Sequence, residues 1–352
     1  MRTLTVIAIT LLSWARSADA QSLIISVKHD VTRAPIGGAM VSLIAFGGTV
    51  IAARFTNDSG IVTLRSPAPG SYRILARRVG YRPAHSSATV LADRITSIEL
   101  RLTNGPQFSL IPVIVTSSSA CGSYDDDRSV SYTLWEQIRT ALEANRLVES
   151  EGLVRMEIQK YERDLDRRFT ERSKLVETKE VATRQPFSAA PAGVLETTGY
   201  VTPDSVSAIY YAPDAKTLLS EEFAHSHCFS VQPGERALKH LIGLAFAPKS
   251  GVVRPDITGV LWVDRKSSAL DHLAYSYVNV PSAVSLEGIG GQIHFAPLAS
   301  GAWIIPRWYI RTPRLGRITR YIDSYSRSQV VDTLLGFRET GASARILRDG
   351  ER

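Results

Sequence analysis

The chain is poor in the residues from which most enzyme centres are assembled. Its 352 residues include two cysteines, three methionines and seven histidines. Two cysteines more than a hundred positions apart cannot form a Cys-x-x-Cys redox pair or a four-thiolate zinc site. No G-x-S-x-G elbow and no phosphate-binding glycine loop occurs, so the local signatures of serine hydrolases and nucleotide-binding enzymes are missing. Lys and Arg are scattered: Arg163 to Arg172 is interleaved with acids, and Arg307 to Arg320 with apolar residues. That spacing describes solvated faces and not a nucleic-acid stripe, so no nucleic-acid partner is expected. After residue 20 no apolar run approaches the roughly 20 residues that a membrane-spanning helix needs.

What is present begins at the N-terminus. Residues 1–20 combine a short basic head, the apolar run Leu4 to Trp14, and the small residues Ala18 and Ala20 ahead of Gln21. This is the pattern of a secretory signal peptide, so an exported chain starting at Gln21 is expected, periplasmic or secreted, with no transmembrane segment. Removing these residues takes away two positive charges and one negative, and the net charge of +7 becomes +6. An oxidising compartment favours a bridge between Cys121 and Cys228. The alternative is two buried apolar thiols.

The fold class expected is mainly β. In residues 22–102, about seven short strand patterns recur at roughly ten-residue spacing, which reads as an antiparallel β-sandwich. Pro35, Gly38-Ala39-x-Val41, Thr56-Asn57-x-x-Gly60, Pro69-Gly70-x-Tyr72 and Val79-Gly80-Tyr81 resemble the carboxypeptidase regulatory-like domain, a transthyretin-like sandwich. The resemblance covers under a quarter of the chain and implies an accessory domain. It does not carry a peptidase reading, because a zinc carboxypeptidase needs a His with Glu three residues on. None of His29, His85, His225, His227, His240, His272 and His294 has one. Phe108-x-Leu110-x-Pro112-Val113 resembles the segment that follows such domains in TonB-dependent receptors, although a receptor barrel would need many more strands.

Residues 103–133 read as a polar linker, and Asp125 to Asp127 as an exposed acidic turn. Thr133 and Glu136 fit a capping box. Trp135, Ile138, Leu142 and Leu147 recur at helical spacing, so a helix is expected over 134–148, packing on a second domain. Residues 149–335 alternate as successive strands of one large antiparallel sheet, with 336–352 as a tail. The pattern around Gly259 to Trp308 weakly resembles the meander of lipoprotein-carrier proteins, which curl a sheet into a half-barrel around lipid.

Chemistry in this half is sparse. Glu221-Glu222-x-x-His225-x-His227 holds the only cluster of ligand types, and on a strand His225 and His227 would share a face. No third ligand is evident, so no metal or cofactor is expected, with those two histidines as weak candidates. Trp262, Tyr275, Tyr277, Phe295, Trp303 and Trp308 fall on strands, where they either pack a core or line a ligand site. Simple alternation puts Trp303 and Trp308 on opposite faces. The function expected is a non-enzymatic envelope protein binding a lipid, a glycan or an outer-membrane protein. The alternative is a hydrolase whose active site is assembled only by the fold.

Overall fold

The computed structural model describes residues 21–90, 94–105, 108, 130–176, 180–182, 187, 189–203, 208–282, 284–321 and 328–347. Within it, β1 (Gln21–His29) pairs antiparallel with β4 (Ile61–Ser66) and parallel with β7 (Thr96–Leu102). A second sheet runs in the order β3 (Val50–Phe55), β2 (Met40–Ile44), β5 (Gly70–Arg77), β6 (Ala84–Val90). Alternation explains the packing: Leu23 and Ile25 from one sheet meet Val41, Leu43 and Ile74 from the other, all fully buried. The seven strands fall where the sequence pattern puts them, apart from the parallel β1–β7 pairing.

The turn between β3 and β4 shows why the Thr-Asn-x-x-Gly motif is needed. The Asn57 side-chain oxygen accepts from the backbone N–H of Ser59 and of Ile61, at 3.1 and 2.9 Å. Gly60 has φ of 71°, and a Cβ there would lie 2.5 Å from the Val27 carbonyl oxygen. Thr56 is buried, donating to the Ile36 carbonyl at 2.7 Å and accepting from the Ala39 N–H at 2.9 Å.

Helix α1 (Val130–Glu151) is longer than expected and starts before Thr133, which is therefore an interior residue and not a cap. Leu134, Ile138, Ala141 and Leu142 form a fully buried stripe toward the C-terminal sheet. The other side of the helix meets the first domain. Gln137 accepts from Gly80 N–H at 2.7 Å and donates to the Tyr81 carbonyl at 3.0 Å, and Arg77 pairs with Glu143.

The C-terminal domain is an open antiparallel sheet of ten strands. At one edge, β8 (Met156–Leu165) carries both β9 (Glu171–Val176) and β10 (Glu180–Ala182). The order continues through β19 (Ser328–Ile346), β18 (Trp303–Tyr321), β17 (Gly290–Pro297), β16 (Leu270–Val278), β15 (Asp256–Asp264), β14 (Leu241–Pro248) and β13 (His227–Pro233). Residues 336–346, expected in a tail, complete β19, which is held between β8 and β18. A small hairpin, β11 (Val201–Pro203) with β12 (Ala208–Tyr210), and helices α2 (Ala192–Thr198), α3 (Ala215–Leu218) and α4 (Glu221–Ser226) lie between β10 and β13. Among the described residues no helix is long and apolar enough to cross a membrane.

Candidate functional site

Strand alternation gives the large sheet two chemically distinct faces. One carries Leu244, Leu261, Leu273, Tyr275, Ile293 and Trp308 into the main core under α1. The other carries side chains that the register places in rows across the strands. Val260, Ala274, Gln292, Tyr309, Gly341 and Tyr161 form one row, and Thr258, Ser276, Gly290, Arg311, Glu339 and Arg163 the next.

This second face holds an open cleft of about 690 Å³, floored by small residues such as Ala245, Ala274 and Gly290 and bordered by Gln292, Tyr309 and Arg311. Beside it, Glu339 is fully buried yet belongs to the polar row. Arg163 approaches it at 2.6 Å, Arg311 at 2.8 Å and the Tyr161 hydroxyl at 3.1 Å. Burial, and then the Glu339 carboxylate, pushes the Tyr161 hydroxyl above the usual phenol range. Two guanidinium groups on one carboxylate offset its desolvation and anchor the wall of the cleft.

The six aromatic residues expected on strands divide unevenly. Tyr275, Tyr277, Phe295, Trp303 and Trp308 all join the main core, and Tyr275 also borders the cleft. Burial raises the Tyr275 and Tyr277 hydroxyls, and Tyr277 donates to the Tyr211 carbonyl at 3.0 Å. Trp262 lies on the opposite face, tilted against His272 with ring centres 6.4 Å apart. Trp303 and Trp308 do not take opposite faces. The β17–β18 register shifts between His294 and Ala296, so Ile305 and Pro306 together oppose Phe295 and the alternation restarts. A bulge of this kind suits Pro306, which has no N–H for the ladder.

His225 and His227 do not share a strand face. His225 ends α4, its Nδ1 2.7 Å from the Glu221 carbonyl oxygen, whereas His227 opens β13 and stacks on Phe223 with ring centres 4.1 Å apart. His227 instead stands between Ser226 and Asp256. The Ser226 Oγ lies 3.0 Å from its Nδ1, and Asp256 Oδ1 lies 3.3 Å from its Nε2. The order resembles a serine triad, but Nδ1 also faces the Phe223 carbonyl at 3.1 Å and Ser226 donates to the Glu222 carbonyl. The nitrogen that a nucleophile needs as proton acceptor is thus already turned to a carbonyl oxygen. The adjoining cavity measures about 10 Å³, the space of a single water and no more.

A grouping that alternation alone would not suggest sits at the end of the polar face. The β15–β16 register shifts so that Asp271 is an extra residue, and its carboxylate meets His272 Nδ1. His294 pairs across from His272, with ring centres 5.2 Å apart. Burial first, then Arg307 and His272, lowers the His294 pKa to about 4. The run Asp271-His272 was the available signal, but only the bulge turns both side chains to one face.

A second cleft, of about 700 Å³, separates the β3–β2–β5–β6 sheet from α1 and is lined by Arg73, Arg77, His85, Arg146 and Glu143 among others. Cys228 borders the first cleft, and no described cysteine is free. Cys121, residues 1–20, expected to be a signal peptide, and residues 125–127, expected to be an acidic turn, lie outside the described residues.

The sheet pairings, the Thr56 and Asn57 turn and the Gly80-Tyr81 corner together define the first domain. Residues 24–103 are a carboxypeptidase regulatory-like domain. The match ends where the regulatory-like domain meets the chain leading to α1. No curated protein matches the chain. Among solved structures, the Bacillus anthracis TIE protein is similar at 9% identity and a TM-score of 0.23, over 46% of this chain and 26% of that one. BcpA, the major pilin subunit of Bacillus cereus, is similar at 8% identity and the same TM-score, over 94% of this chain and 96% of that one. The present chain therefore spans about a quarter of the TIE protein.

Proposed function

We propose that this protein is a non-enzymatic, exported component of the cell envelope whose C-terminal sheet binds an envelope glycan in the cleft beside Tyr309. The observation that carries the reading is the chemistry of that cleft. Its floor of Ala245, Ala274 and Gly290 leaves room for an extended polymer, while Gln292, Ser276, Thr258, Tyr309 and Arg311 offer amide, hydroxyl, aromatic and cationic groups. Such a lining fits a hydroxyl-rich chain better than an acyl tail, which would need an apolar wall. Phe229, Phe246 and Tyr275 also border the cleft, but they are almost fully buried in the core and offer it little surface. Export rests on residues 1–20, and with it a bridge between Cys121 and Cys228.

Titration of the purified protein with isolated envelope polysaccharide tests the binding reading. Trp262 lies on the same face of the sheet, so its fluorescence should change on saturation. Gln292→Ala and Tyr309→Ala should each weaken binding about tenfold, a loss of roughly 1.4 kcal/mol, with little change in melting. Binding identical to the parent in both variants would remove the cleft from the account. The bridge is checked by non-reducing mass spectrometry, which should recover Cys121 and Cys228 in one linked peptide. Two alkylatable thiols without reduction would refute it.

The order Ser226, His227, Asp256 supports a second reading, a hydrolase that opens this closed pocket on binding substrate. Ester or amide turnover that disappears in Ser226→Ala would replace the binding reading with that one.

A further inference from the structure

We propose that Asp271, His272 and His294 form a binding site for a divalent transition-metal ion of the zinc class. The three residues stand apart from the glycan cleft, and none of them lines it. One donor atom from each lies within 4.8 Å of the others. Two nitrogen ligands on one zinc ion stand about 3.4 Å apart, since each bond is about 2.0–2.1 Å long in a tetrahedral site. The widest pair therefore closes by at most about 1.4 Å, which side-chain rotation supplies at exposed Asp271 and half-buried His294.

The backbone does the assembling. Two histidines at a directly paired position of β16 and β17 put their rings side by side, and the bulge at Asp271 swings an adjacent carboxylate onto the same face. That carboxylate contacts His272 Nδ1, so the two donors are already adjacent and exchange this contact for bonds to the ion. Imidazole with carboxylate suits zinc, nickel, copper and iron, and it disfavours magnesium and calcium, which take oxygen ligands. Arg307 opposes binding: its Nη2 lies 3.4 Å from His294 Nδ1. Because Arg307 is exposed, it can withdraw into solvent when a cation enters.

Isothermal titration of the purified protein with zinc chloride, in excess magnesium and calcium, provides the test. One saturable zinc ion per chain is expected. His294→Ala, His272→Ala and Asp271→Asn should each weaken it roughly 10- to 100-fold. His225→Ala should bind like the parent, and Arg307→Gln should bind severalfold tighter because a competing cation is gone. His272 is buried, so His294→Ala is the decisive variant if His272→Ala fails to fold. Cobalt loading gives an independent readout, a visible absorption band of the parent that vanishes in His294→Ala. The proposal is overturned if the parent shows no saturable zinc binding, or if His294→Ala binds zinc as the parent does.

Discussion

Thr56 illustrates how one hydroxyl sets a loop. It is 3% exposed, and its Oγ1 serves both the Ile36 carbonyl and the Ala39 N–H. Thr56→Val keeps the shape but leaves both backbone groups buried without that partner. A loss of about 2 kcal/mol is expected, since each unsatisfied buried group costs roughly 1–3 kcal/mol. Urea denaturation of the parent and the variant measures it, and an unchanged midpoint would show that water reaches these groups. This motif was legible in the sequence because its bonds are local or between neighbouring loops. The reading of His225 failed at the same scale for an identifiable reason. Ser220, followed by Glu221 and Glu222, is a helix-start signal, and its side chain does accept from Phe223 N–H at 3.1 Å. That cap places His225 on a helix, and the alternation of a strand never applied to it.

At the scale of elements, periodicity located most strands but left the second half of β19 to a tail and missed the β11–β12 hairpin, and bulges decided what each strand presents. A single extra residue moves all later side chains to the other face. The shift opposite Phe295 brings Trp303 and Trp308 together in the core, and the shift at Asp271 pairs an acid with a histidine. Pro306 was a visible sign of the first bulge. The second is marked only by the adjacent polar pair Asp271-His272, which interrupts the alternation kept by Leu273, Tyr275 and Tyr277. Glu339 teaches the same lesson. Expected in the tail, it lies in mid-strand and is fully buried, with Arg163, 176 positions earlier, and Arg311 converging on it.

For the whole molecule, α1 is the element that joins the two domains. Its apolar stripe belongs to the C-terminal core, Asn145 donates to the Trp303 carbonyl at 3.0 Å, and Gln137 and Glu143 reach the regulatory-like domain. Backbone also meets backbone: a Cβ on Gly301 would lie 2.0 Å from the Gly38 carbonyl oxygen, and both glycines have positive φ. Burial by itself would raise the Glu143 pKa, but Arg77 and Arg139 outweigh it and hold it below the usual 4.5. The stability from this pair is therefore complete above that value and declines as the pH falls through the lowered one. Glu143→Ala leaves Arg77 with little solvent and no counter-charge, and a loss of about 3 kcal/mol is expected. Calorimetry at neutral pH should then resolve two melting transitions in place of one. A single transition at the parent temperature would mean that the Gly38–Gly301 and Gln137 contacts hold the domains together unaided.

Composition and periodicity by themselves determined that the chain is mainly β, that its first eighty or so residues after Gln21 form a β-sandwich, and that a helix precedes a large antiparallel sheet. These are properties of short range, set by which residues alternate, which turn and which cap. Tertiary structure alone decided which face of the sheet is open, where the cleft lies, and which acids and histidines meet. Each of those depends on register between strands far apart in the chain, and register is set by the packing of both domains on α1 and by bulges that cost only one residue each.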